Sequence, residues 1–313
     1  DNATQSFDFL KQVIGSLVNQ DCTSLVMDYE NCVSCDLLTQ VVLDSILLNN
    51  KTFMRKCVEA GKIGYINVNK IGAEHYNDIH IQRMINSVGS PVELINRQHK
   101  YDEIIPFRLS CFDAKNASSE RCSMVNGKHA TACIEYVNNC LRRFGKELTP
   151  QANKYLGYVI GETIINASEH STLKYRYMVG YFEENKDKDN HSGVLYLVIM
   201  NYGQTIYERF KYPTAEYPAN QECIKQMVDI SNIFVKKNWF KQSITEETLW
   251  TLYALQESVT CIPGGNRGNG TIQFIEAFLK LKGDDCIDDA SKMYIMSGRT
   301  IIEVDGRYRI GRN

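Results

Sequence analysis

Residues 161–171 read GETIINASEHS, and this stretch decides how the rest of the chain is read. Two acids, an amide and an imidazole are set among apolar residues. On a helix, Glu162, Asn166, Glu169 and His170 share an arc of roughly 100°. Leu156, Ile160, Thr163, Ile164 and Ala167 form the neighbouring apolar stripe. Thr149-Pro150 supplies a start signal, with proline in the first turn. Gly157 and Gly161 lie one turn apart on a third side. Each costs about 1 kcal/mol in a helix interior, so their spacing predicts a close neighbour there. The ordinary reading of a polar stripe is a solvated face. A solvated face usually mixes charges of both signs at i, i+4, yet this one has no Lys or Arg. Carboxylate, amide and imidazole together position water or coordinate a cation.

Two further stretches stand downstream. Leu195–Met200 reads as a strand that ends in Asn201-Tyr202-Gly203-Gln204-Thr205. An Asn at a strand end can face a base edge, or it can simply make a turn. Gly264–Gly270 holds four glycines in seven residues and opens an amphipathic helix expected over Ile272–Leu281. Such a loop lets backbone N–H groups gather round an anion, helped by the helix amino end and by Arg267. It is not a P-loop, because GxxxxGK[ST] is absent, and it does not follow a strand as a Rossmann loop would.

The chain has 313 residues, 43% hydrophobic and 23% charged, with 35 basic against 37 acidic residues. This is soluble globular composition, long enough for two domains. The charge balance does not indicate nucleic acid as a partner. No apolar run reaches the ~18–20 residues that a membrane span needs. Asp1 and Asp8 stand where a signal peptide would be basic and then apolar. The 11 cysteines lack framework spacing, which points to a reduced, cytoplasmic chain. Cys32 and Cys35 form a single CxxC with no second pair to complete a zinc site.

The pattern predicts a small α/β domain over 1–95. It has a helix carrying Phe7, Leu10, Val13, Ile14 and Leu17, then a buried strand at Leu25-Val26-Met27. A helix capped by Asp36 follows, carrying Leu37, Leu38, Val41, Leu43 and Leu47. Further helices are expected over 51–60 and 79–87, with a strand at 65–68. The polar stretch 96–127 reads as irregular, with a linker in its first part and a strand over 104–109. A helix is expected from His129 to Phe144. Strands at 175–182 and 194–200 flank a charged turn over 183–189. Residues 205–256 read as mostly helical. Strands at 292–297 and 300–304, and a third at 307–310, close the chain.

The order of these motifs resembles the GHKL superfamily of ATP-binding domains, which includes gyrase B, heat-shock chaperones, histidine kinases and MutL. Small bacterial modules of the anti-sigma-factor type are the nearest in pattern. The resemblance covers 104–313 and rests on E-x3-N-A-x-E-H, then N-x-G, then G-x-G opening a helix. It implies a Bergerat-type two-layer α/β sandwich that binds ATP with Mg²⁺. Residues 1–95 resemble a STAS-like domain. By the resemblance, Asn166 binds the metal and Glu162 is the general base on water in hydrolysing members. Asn201, Gly203 and Thr205 fall in the first glycine box. Gly265, Arg267, Gly268, Asn269, Gly270 and Thr271 form the phosphate loop and helix start. Residues 206–263 correspond to the lid. Asn201 stands where the family usually has Asp, and Thr205 replaces the second glycine of DxGxG. His170 is expected to fix the helix end.

The resemblance implies slow Mg²⁺-dependent ATP hydrolysis that couples ATP/ADP state to a regulatory protein partner, and it leaves a homodimer open. A non-hydrolysing nucleotide-binding regulator and an anti-sigma-type serine kinase are the alternatives. No dimerisation helix with a phosphoacceptor His is present to favour a histidine kinase.

Overall fold

The computed structural model describes residues 3–18, 25–28, 37–48, 66–69, 92–93, 104–173, 175–185, 192–216, 218–237, 244–256, 259, 270–282 and 291–304. The predicted Asp36 cap and the helices over 51–60 and 79–87 lie outside these residues. So do Cys32 and Cys35, most of the turn over 183–189, the strand at 307–310, and Gly265, Arg267, Gly268 and Asn269. The architecture is mixed α/β. No described helix is long and apolar enough to cross a membrane.

The chain divides into two compact units that do not separate at one point in the sequence. One comprises 1–112, 142–145 and 177–200; the other comprises 113–141, 146–176 and 201–313.

In the first unit, helix α1 (Ala3–Val18) buries Leu10, Val13 and Leu17 at helical spacing and leaves Ile14 exposed. Helix α2 (Leu37–Leu48) buries Val41, Leu43 and Ser45. The Ser45 hydroxyl is satisfied by donating to the Val42 carbonyl at 2.8 Å. Strands β1 (Leu25–Asp28), β2 (Ile66–Asn69) and β3 (Val92–Glu93) form a parallel sheet in that order, with Leu25 opposite Ile66 and Ile66 opposite Val92.

A second sheet has the order β4 (Ile104–Asp113), β5 (Tyr175–Asn185), β6 (Ser192–Asn201). The link from β5 to β6 is too short for a crossover, so these two run antiparallel. Tyr177, Met178 and Val179 are all buried. Successive strand residues point to opposite faces, so this part of β5 is covered on both. At Gly180 a Cβ would run into the Tyr196 carbonyl oxygen, so the close approach of β6 requires glycine there. Tyr181 and Tyr196 stack at 4.5 Å beside it. The buried Glu184 carboxylate accepts from Arg143 at 3.0 Å.

The second unit is built on helices α3 (Ser119–Arg142) and α4 (Pro150–Glu169). Helix α3 begins ten residues before the expected His129, so 119–127 is not part of an irregular stretch. Its local reason is a cap: the Ser118 hydroxyl oxygen accepts from the Arg121 N–H at 3.2 Å. Its tertiary reason is Asn126, a polar residue buried at the contact with α4. The two helices run antiparallel. Asn138 donates to Asn153 at 3.1 Å, Ile134 meets Gly157, and Asn126 meets Ser168. A Cβ at Gly157 would make only an ordinary van der Waals contact with Ile134, and one at Gly161 would meet no described atom, so the described residues supply no close approach that requires glycine at either position.

Helices α5 (Ile206–Lys211), α6 (Gln221–Lys236) and α7 (Glu246–Ala254) surround a core of Phe210, Cys223, Met227, Leu249 and Trp250. The Trp250 indole N–H donates to the Ser231 hydroxyl at 2.7 Å. Strands β7 (Met293–Ser297) and β8 (Thr300–Val304) pair antiparallel across the Gly298-Arg299 turn, as the sequence predicts. That turn meets the helices. The Ser297 hydroxyl accepts from the Ile206 N–H at 2.8 Å, and the Arg299 N–H donates to Glu247 at 2.9 Å.

Candidate functional site

Helix α4 starts where its sequence says. The Thr149 hydroxyl oxygen accepts from the Ala152 N–H, and Pro150 follows it. Leu156, Ile160, Ile164 and Ala167 are buried, and Thr163 is half-buried. Glu162 and Asn166 stand one turn apart, both half-buried, while Glu169 is exposed. The Asn166 side-chain amide makes no hydrogen bond among the described residues.

Helix α8 (Gly270–Lys282) packs along α4. The Lys280 ammonium, near its carboxy end, lies 5.2 Å over the Tyr155 ring, near the amino end of α4. Only an antiparallel course then keeps the whole of α8 against α4. At 1.5 Å rise per residue it brings Gly270 and Thr271 to the carboxy-terminal half of α4, where Asn166 sits. The four amino-terminal N–H groups of a helix are unsatisfied within it and favour negative charge.

The carboxy end of α4 is tied to the end of β6. His170 is the C-cap, and its N–H donates to the Asn166 carbonyl at 3.0 Å. The His170 carbonyl accepts from the Asn201 side-chain amide at 3.1 Å. Leu173 N–H donates to the Tyr202 carbonyl, and Gln204 N–H donates to the Thr172 hydroxyl at 2.7 Å. Gly203 sits at φ 148°, where a Cβ would run into Thr172, so only glycine fits this turn without strain. Thr205 is engaged in a reciprocal capping box. Its hydroxyl oxygen accepts from Glu208 N–H at 3.1 Å, and its own N–H donates to the Glu208 carboxylate at 2.8 Å. The Gln204 side-chain oxygen is buried and accepts no hydrogen bond among the described residues. Burial, then the nearby Arg209, hold the His170 imidazole below its usual pKa.

Among the described residues, no group of three His, Cys, Asp or Glu side chains could hold a metal ion. Among the described cysteines, Cys122, Cys133 and Cys223 are in no disulfide. Burial, then Cys140, pushes the Cys133 thiol up to about 12, which removes it from thiolate chemistry.

No family model, no curated protein and no solved structure matches the chain. The chemistry of the site therefore rests on its own residues.

One cluster behind the site escaped the sequence reading. Arg176 is fully buried at the start of β5. Its Nε donates to the Ser168 hydroxyl at 2.9 Å, and its Nη2 donates to Asn126 Oδ1 at 3.2 Å. Ser168 in turn donates to the same Asn126 oxygen at 2.9 Å. The Arg176 Nη2 also lies 3.1 Å from His129 Nδ1. A guanidinium only donates, so His129 must accept at Nδ1 and carry its proton on Nε2. A lone Arg in the apolar run Tyr175–Phe182 was the available signal: a charge on a covered strand needs partners elsewhere in the fold.

This contact has a pH signature. Burial first, then Arg176 and Lys128, lower the His129 pKa below its unfolded value. A depressed histidine pKa favours the neutral folded form. Its contribution is fully present above about pH 6.5 and is lost as pH falls through the folded value. Thermal melts between pH 7.5 and 5 should therefore show a falling Tm for the wild type and a shallower fall for His129→Gln. Identical slopes would remove His129 from the acid sensitivity.

Proposed function

We propose that the unit carrying α4 and α8 binds ATP with Mg²⁺ and hydrolyses it slowly, in a Bergerat-type sandwich. The observation that carries this reading is the meeting of two features. Glu162 and Asn166 share a helical face with Tyr155, over whose ring the α8 residue Lys280 lies, and α8 packs along this helix with its glycine-opened amino end pointing towards the carboxy end of α4. A half-buried carboxylate and amide on a helix packed against a glycine-opened helix suit a polyanion with its cation.

Asn166 offers one neutral oxygen ligand. Mg²⁺ takes few protein ligands and completes its octahedron with phosphate and water oxygens. When bound, Mg²⁺–ATP supplies the phosphoryl electrophile and neutralises developing charge. Glu162 orients a water and accepts its proton. The helix start at Gly270 and Thr271 would hold phosphate through backbone N–H groups, and by the resemblance Gly265, Arg267, Gly268 and Asn269 would share that role. Nucleotide state would pass to a regulatory protein partner through the helices after Thr205.

Calorimetry of the full chain tests the binding. Mg²⁺–ADP should bind, and Asn166→Ala should remove the dependence on magnesium. Absence of any magnesium-dependent ATP or ADP binding would sink the reading.

One feature favours a second reading, in which nucleotide is bound but not hydrolysed. Asn201 and Thr205 depart from the family pattern, and both hold backbone in place: Asn201 the helix end, Thr205 the start of α5. A site that sets conformation needs those ties more than it needs fast chemistry.

A further inference from the structure

Three segments far apart in the sequence meet at the turn between β7 and β8. The Ile206 N–H stands in the first turn of α5, where the helix itself offers it no acceptor. It donates instead to the Ser297 hydroxyl at 2.8 Å, across 91 residues of chain. Two residues beyond Ser297, the Arg299 N–H donates to the Glu247 carboxylate, in the first turn of α7, at 2.9 Å. The hydroxyl of the buried Thr300 donates to that of Thr248 at 3.3 Å. Between these ties Gly298 stands at φ 58°, where a Cβ would run into the Glu247 carboxylate and press on the Thr205 methyl. Conformation and crowding both require glycine there. One turn thus holds the starts of two helices. Those helices also hold each other: Glu246 accepts from the Tyr207 hydroxyl at 2.7 Å and from Lys211 at 3.0 Å, and Phe210, Leu249 and Trp250 share one core.

We propose that the Ser297-Gly298-Arg299 turn is a clasp that makes the β7–β8 hairpin, α5 and α7 open and close as one cooperative unit. A two-stranded hairpin is marginal by itself, so its stability comes from what it packs on. Lifting this one away would strip an acceptor from the Ile206 N–H and from the Arg299 N–H together, which ties its opening to that of both helices. The unit also has a defined input. Three residues before Ile206 lies Gly203, whose turn is held against Thr172 at the carboxy end of α4. A shift of that turn moves the start of α5, and through the clasp it moves α7 and the hairpin with it. The inference holds whatever the site on α4 binds.

Native-state hydrogen exchange of the full chain at rising denaturant tests this. In the wild type, the slow amides of the hairpin, α5 and α7 should converge on one opening free energy with one denaturant dependence. Separate opening curves for the hairpin and the helices overturn the inference without any variant being made. The double variant Ser297→Ala with Glu247→Ala removes both acceptors. Its hairpin amides should exchange at least roughly tenfold faster than those of α5 and α7, the size expected for two lost hydrogen bonds. Ser297→Thr keeps the hydroxyl and should leave the three elements coupled as in the wild type. If hairpin and helices still open together in the double variant, the coupling does not run through this turn and the inference fails.

Discussion

Glu162→Ala is expected to lower ATP turnover by roughly 10²- to 10⁴-fold, the usual contribution of a positioned general base. Mg²⁺–ADP affinity should stay within about threefold of wild type, because the carboxylate acts on water and not on the ground-state nucleotide. Glu162 is half-buried one turn before Asn166, so the variant removes a group from the site wall and not from the core. Phosphate release read beside calorimetric binding separates the outcomes. Lost turnover with retained binding supports Glu162 as the base. Unchanged turnover rejects it. A wild type that binds but does not turn over establishes the regulator instead.

Arg176→Met is expected to destabilise the fold by about 2–4 kcal/mol, even though methionine retains most of the volume. The loss comes from the acceptors left behind. Ser168, Asn126 and His129 each face the guanidinium, and Ser168 and Asn126 are themselves buried. On a domain of this size the change corresponds to a Tm lower by roughly 5–15 °C. Removing the guanidinium also removes one of the charges that depress His129. The variant should therefore show a shallower acid sensitivity than wild type. Denaturant unfolding and pH-dependent melts together check both parts. A variant as stable as wild type would show that Ser168 and Asn126 satisfy each other without Arg176.

These two residues illustrate what each level of description could supply. Glu162 and Asn166 were legible because helical periodicity is local. Their spacing, the absent Lys and Arg, and the stripe Leu156, Ile160, Ile164, Ala167 put polar and apolar faces on α4 before any fold was known. The Thr149-Pro150 start, the Gly298-Arg299 turn and the strand at 300–304 were legible for the same reason: caps and turns depend on neighbouring residues. Arg176 was not, because its partners lie at Asn126, His129 and Ser168, and no short-range pattern joins them. The true start of α3 was missed likewise. Gly127 and its polar neighbours argue against a helix locally, and the contact of Asn126 with α4 outweighs them.

The sequence by itself determined which side chains α4 would present, and in what order the motifs follow one another. Only the tertiary structure decided which way Asn201 faces and what His170 does. Both depend on one hydrogen bond between the end of a helix and the end of a strand that lies 31 residues further along the chain. Such a bond forms only after the backbone of both elements is in place, so no run of neighbouring residues encodes it.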